Sequence, residues 1–72
     1  MQTRIEYAAY VENNDFIVDN GEVMGYVYMV AEDTPDFITF DVVDDDGEHF
    51  NYRRAPFDEV TIVESFDDSE DE

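Results

Sequence analysis

The sequence predicts a small all-β domain, and three observations predict it. Apolar residues recur at period two or in short runs rich in β-branched and aromatic side chains. Turn-forming clusters (Asn13-Asn14-Asp15, Asp19-Asn20-Gly21 and Asp44-Asp45-Asp46-Gly47) punctuate those runs. Phe and Tyr make up 11 of the 72 residues, which is material for a core in a chain with no cysteine to staple it.

The stretch Arg4 to Glu12 places Ile5, Tyr7, Ala9 and Val11 at alternate positions and reads as a first strand with that face in the core. After the turn at Asn13-Asn14-Asp15, Phe16-Ile17-Val18 reads as an apolar anchor inside a longer loop. Asn and Gly tolerate positive φ, so Asp19-Asn20-Gly21 is another turn. Glu22 to Ala31 is a second strand, apolar on both faces and hence central or strongly curved, with Gly25 the place for a bend or bulge. Glu32-Asp33-Thr34-Pro35 closes it, because Pro35 cannot donate a ladder hydrogen bond.

Asp36 to Val43 is the third strand, and the Asp-Gly signal at 46–47 turns it into the fourth, Glu48 to Arg54, with Phe50 and Tyr52 on one face. Residues 55–59 suit a single 3₁₀ turn, and Val60 to Glu64 is a short fifth strand with Val60 and Ile62 on one face. From Ser65 the chain is Ser, Asp and Glu apart from Phe66, which predicts one β domain over 1–64 and a flexible acidic tail over 65–72. This order of strands and turns over roughly residues 4–64 resembles the five-stranded SH3-like barrel. The alternative is a strongly curved antiparallel sheet, with a helix over one face should Tyr7-Ala8-Ala9-Tyr10 turn helical.

Charge sets the chain apart. Twenty-one acids face three arginines and no lysine, for a formal charge of −18. Five of the acids lie after residue 64, so the body itself carries −13. Solubility is served by a net charge of about 2–8 in a small domain, and the excess costs stability through self-repulsion. A compact domain of this length has a diameter of roughly 29 Å. The same length of duplex DNA carries about 17 negative charges, one per ~1.7 Å.

Several chemistries fail on the residues available. An EF-hand loop with Gly47 at its sixth position would begin at Val42 and end at Arg53, where Asp and Glu are needed, so Asp44-Asp45-Asp46 is an acidic turn and no metal or cofactor is expected. His49 is the only histidine, cysteine is absent, and a chain this short is a poor host for a catalytic cleft, so an enzyme is not expected. Arg4, Arg53 and Arg54 are too few to grip phosphates and are expected to pair with acids on neighbouring strands. Tyr7, Tyr10, Tyr26 and Tyr28 read as core. No apolar run reaches the ~18 residues of a membrane span and Met1-Gln2-Thr3-Arg4 has no signal-peptide pattern, so a cytoplasmic protein is expected.

The acidic surface remains as the functional candidate. Its expected contact residues are Glu32, Asp33 and Asp36 before the third strand and Asp44, Asp45, Asp46 and Glu48 after it, supported by Phe40 and Val42 in the core. If the second group stays extended, Asp44, Asp46 and Glu48 share one side about 6.6 Å apart, a repeat like that of a phosphate backbone. Arginine pairs bidentately with either group.

A tiny, lysine-free, very acidic β domain resembles the DNA-mimic proteins that phages encode for host takeover, among them inhibitors of the nucleoid protein HU from Bacillus phages. The resemblance rests on length, charge and layout and carries no motif. It implies an inhibitor that competes with DNA for a basic host protein, HU being favoured, in the host cytoplasm. Uracil-DNA glycosylase, a restriction enzyme or RNA polymerase are alternative targets. A halophile's small SH3-like structural or adaptor domain is the reading from another class, although plentiful Phe and Tyr with few Gly lean against a halophile, and an SH3-type adaptor for Pro-rich peptides is a third reading.

Overall fold

Six strands hydrogen-bond into one antiparallel sheet in the computed structural model, which describes residues 1–66. In chain order they are β1 (Gln2–Tyr7), β2 (Phe16–Asp19), β3 (Glu22–Asp33), β4 (Ile38–Val43), β5 (His49–Arg54) and β6 (Glu59–Ser65), with a 3₁₀ turn at Ala8–Tyr10. Their order across the sheet is β1-β6-β2-β3-β4-β5. The all-β expectation holds, with six strands in place of five and an open sheet whose edges are β1 and β5. No helix among the described residues is long and apolar enough to cross a membrane.

The sixth strand is β2, expected as an anchor within a loop. It is only four residues long, but Asn20 (φ 55°) and Gly21 (φ 81°) both adopt left-handed backbone between the paired residues Asp19 and Glu22. That is the two-residue turn whose twist matches flanking strands, and it pairs Phe16-Ile17-Val18 with β3. The β4–β5 hairpin is wider. The Gly47 N–H donates to the Asp44 carbonyl (3.0 Å), the Asp44 N–H donates to the Glu48 carbonyl (2.9 Å), and Gly47 sits at φ 81°.

The core lies on one side of the sheet. Ile38, Phe40 and Val42 of β4, Val27 of β3, Ile17 of β2 and Val60 and Ile62 of β6 are buried together with Ala8 and Val11 from the β1–β2 connection. Phe50 and Tyr52, opposite Val42 and Phe40, extend it onto β5. No helix or second sheet covers this side, so burial of Phe40, Ile17, Ile62, Val27 and Val42 to 0% exposure requires the sheet to coil around it. Register shifts in β1–β6, β2–β3 and twice in β3–β4 are the bulges that bend such a sheet.

Gly25 stands at the tightest point. Ile17 faces Gly25 while Val18 faces Val23, which leaves Met24 as the extra residue of a bulge where the sequence predicts a bend. A Cβ placed on Gly25 would fall on the carbonyl of Val43 in β4.

Strand β1 reverses its expected face. Arg4 lies opposite Ile62 and Glu6 opposite Val60, so those polar residues share the core side and Ile5 and Tyr7 point away, 61% and 45% exposed. The strand then stops at Tyr7, and the 3₁₀ turn, closed by the Val11 N–H on the Ala8 carbonyl (3.2 Å), swings Ala8 and Val11 inward while Ala9 stays exposed. Residues 55–58 form a simple turn instead of the expected 3₁₀ turn, held by the Asp58 N–H on the Ala55 carbonyl. Its Pro56 and Asp58 carbonyls accept from Ala9 and Ala8.

Tyr10 and Tyr28 are exposed and Tyr26 half-buried, so only part of the tyrosine set joins packed surface. The far half of β3 has only β4 beside it, which leaves Tyr28, Met29 and Val30 exposed. The body runs past residue 64: Ser65 ends β6, and Phe66 packs edge-on against Phe16 with ring centroids 5.0 Å apart. The rest of the expected tail, 67–72, lies outside the described residues.

Gly25 and Gly47 separate two costs. Ala at Gly47 has open space and bears only the left-handed backbone cost, about 1–2 kcal/mol. Gly25→Ala must also displace the β4 backbone and is expected to lose about 3 kcal/mol or more. A domain of this size is held by roughly 4–11 kcal/mol. Urea unfolding should therefore show Gly47→Ala folded with a lowered midpoint and Gly25→Ala destabilised further, by about 1 kcal/mol or more beyond Gly47→Ala.

Candidate functional site

The seven acids expected at the contact surface fall into two groups at opposite ends of β4. Glu32 and Asp33 end β3 and Asp36 lies in the turn before β4, whereas Asp44, Asp45, Asp46 and Glu48 form the turn after it. The register sets Glu32 opposite Thr39 and Asp33 opposite Ile38, five and six residue steps from Asp44, so the groups stand roughly 16–20 Å apart along β4. The structure brings together the members of each group and keeps the two groups separate.

Each group is fixed by its own turn. In the first, Thr34 Oγ1 accepts from the N–H groups of Asp36 (3.2 Å) and Phe37 (3.0 Å) and donates to the Phe37 carbonyl (2.9 Å). Thr34 N–H donates to that same carbonyl, and Pro35 occupies the bend. In the second, Asp44 Oδ1 accepts from the N–H groups of Asp46 and Glu48, both at 2.9 Å. The turn is therefore closed and not extended, and the expected row of Asp44, Asp46 and Glu48 does not form. Asp44 is half-buried and spends its carboxylate on its own backbone, while Asp45, Asp46 and Glu48 face solvent.

The arginines neutralise little of this. Arg53 stacks its guanidinium 4.2 Å from the Phe37 ring centroid, donates to Thr39 Oγ1 (3.1 Å) and approaches Glu32 at 3.9 Å. It thus reaches across β4 to β3 and engages one of the seven acids. Arg54, expected to pair with an acid, stacks on Tyr52 (4.1 Å) and donates to the Arg53 carbonyl. Arg4 pairs with Glu6 on its own strand at 3.1 Å. His49 meets Asp41 at 2.9 Å, on the side of β4 away from Phe40, with Tyr28 edge-on to its ring. No three of the His, Asp and Glu side chains among the described residues converge as a metal site requires.

The sheet extends 45 × 26 × 19 Å, longer than the sphere assumed from chain length. Duplex DNA of 45 Å carries about 26 charges, so even the full −18 falls short along this axis. Of the 16 acids among the described residues, eight lie on strands and eight in the connections between them.

The sequence reading missed a second surface altogether. On β1 and the turns beside it, Ile5, Tyr7, Tyr10 and Phe57 are exposed by 61%, 45%, 64% and 72%. Tyr7 sits 6.4 Å from Tyr10 and 5.7 Å, edge-on, from Phe57. An open cleft of about 510 Å³ lies here, lined by Ile5, Glu6, Tyr7, Tyr10 and Glu59. Period two marked Ile5 and Tyr7 as sharing a face, and their alternation with Arg4 and Glu6 points that face inward; only the pairing of Arg4 with Ile62 and Glu6 with Val60 shows the opposite.

No protein-family model, curated protein or solved structure matches this chain.

The two roles within the second acidic turn are separable. Asp44→Ala removes the acceptor for two backbone N–H groups and is expected to cost about 1–2 kcal/mol in urea unfolding. Asp45→Asn, which touches neither bond, should leave the midpoint unchanged or raise it at low salt by relieving repulsion.

Proposed function

We propose that this protein is a stoichiometric inhibitor, without catalytic activity of its own, that competes with DNA for the basic surface of a DNA-binding host protein, HU being the favoured target. The observation that supports it is the presentation of the charge. Asp36, Asp45, Asp46 and Glu48 are solvent-facing, engage none of the three arginines and stand in turns ordered by Thr34 and Asp44, and Asp33 is exposed at the end of β3. Carboxylates fixed before contact lose little entropy when arginines or lysines meet them, and their field speeds encounter with a cationic surface.

The two groups act as separate contact points roughly 16–20 Å apart on this reading. A target that holds DNA with two basic segments, one on either side of a cleft, suits that spacing better than one that follows a continuous phosphate track. We read the coiled sheet as SH3-like in general layout, with the core inside the coil and short hairpins at the ends. Its setting is the cytoplasm of a host cell.

Capture from a bacterial lysate on immobilised protein at low salt, followed by elution with duplex DNA, tests the proposal. DNA-binding proteins should be retained and DNA should release them. Combined Asp45→Asn, Asp46→Asn and Glu48→Gln substitutions should weaken binding to purified HU at least tenfold, about 1.4 kcal/mol. Retention of proteins that do not bind DNA, or failure of DNA to displace the captured ones, rejects competition. The domain should also remain folded at low salt; unfolding there would instead support a halophilic structural role.

A further inference from the structure

We infer that the free edge of β1 is a docking site for an extended peptide segment carrying an arginine, whose side chain enters the cleft beside Tyr7, Tyr10 and Glu59. The inference does not depend on competition with DNA, and the cleft is four strands away from β5 in the sheet order.

Three features converge on that occupant. The first is the edge. β1 pairs with β6 on one side and has no strand partner on the other among the described residues. Its outward backbone groups can accept a further strand, a mode in which main-chain hydrogen bonds give affinity and side-chain pockets give selectivity. Edge strands are normally blunted by charge or proline, and the opposite edge carries Arg53, Arg54 and His49. On β1 the charges Arg4 and Glu6 pair with each other on one side, and the other side presents Ile5 and Tyr7.

The second feature is the lining. Ile5 and two tyrosine rings make a surface for methylene groups and for a planar cation. Exposed apolar clusters of this kind mark interaction sites.

Charge is the third. Glu6 in the lining is already engaged by Arg4, but the Glu59 carboxylate has no cationic partner among the described residues. Glu59 stands directly opposite Tyr7 in the β1–β6 register, on the same side of the sheet. A guanidinium lying on a tyrosine ring can therefore reach Glu59, and arginine suits this better than lysine because it stacks and forks at once. A chain with a formal charge of −18 also repels a second copy of itself and attracts a cationic segment.

Titration of the isotope-labelled 72-residue chain with a capped octapeptide alternating arginine and valine, followed by amide chemical shifts at about 0.15 M salt, tests this. Shift changes should concentrate on residues 4–10 and 57–61, and β1 amides should gain hydrogen-exchange protection. Tyr10→Ala and Glu59→Gln, both at exposed positions, should each weaken binding about tenfold. A lysine–valine version should bind more weakly and a glutamate–valine version not at all. Binding should survive Asp45→Asn, Asp46→Asn and Glu48→Gln, which separates this site from the acidic turns.

The inference is overturned by no binding, by shifts spread over the acidic turns, or by either cleft variant binding as the parent does. Equal binding of an arginine-bearing proline-rich peptide, which lacks most ladder donors, would also overturn it. So would concentration-dependent broadening of β1 without peptide, since a second copy would then own the edge.

Discussion

The pairing of β3 with β4 is the interaction on which the rest of the structure depends. It carries Ile38, Phe40 and Val42 into the core and sets Gly25 against the Val43 carbonyl, where only glycine fits. It also fixes where the charge goes. Because β4 is six residues long and its own apolar side chains are buried, the acids on either side of it are driven to its two ends. Three turn carboxylates, Asp15, Asp44 and Asp58, accept from nearby backbone N–H groups and so order the turns that carry them.

The cations show the same economy. Only Arg53 links three strands, through Thr39 and Glu32, and it does so at an exposed site where such a pair contributes little stability. Arg54 is held mainly by the Tyr52 ring. Electrostatic pairing is therefore not what holds the sheet. The stabilising terms are backbone ladders and a core of short aliphatic side chains around Phe40, and the exposed carboxylates work against them.

What the sequence made legible follows the strength of its local signals. Strands β3, β4 and β5, the hairpin at Asp44–Glu48 and the bend at Gly25 all rest on turn chemistry or long β-branched runs and lie close to where expected, although β3 runs on through Glu32 and Asp33 and β4 begins at Ile38 instead of Asp36. β2 escaped because four residues are too few to show a period, although Asn20-Gly21 after it was a hairpin signal. The face of β1 was misassigned because local alternation points Ile5 and Tyr7 inward, whereas the long-range pairing of Arg4 with Ile62 and Glu6 with Val60 turns them out. Six of the seven acids are exposed as their charge suggests, but sequence proximity hid their separation across β4. It also hid that Asp44 is a structural member of its turn, since Asp44, Asp45 and Asp46 are identical in sequence terms and differ only in hydrogen bonding.

The position of β6 has a kinetic consequence. It comes after every other strand in the chain, yet it lies inside the sheet, between β1 and β2. Residues near position 3 must wait for residues near 63 before β1 has any ladder at all. Closing a loop of that length first costs entropy that no contact has yet offset, which makes the last step of folding slow. Local opening should retrace that order, with β1 and its aromatic side chains parting from β6 before the β3–β4 pair yields. The surface offered to a partner is thus also the least secured part of the sheet, and a bound strand there would act as a clamp on the whole fold.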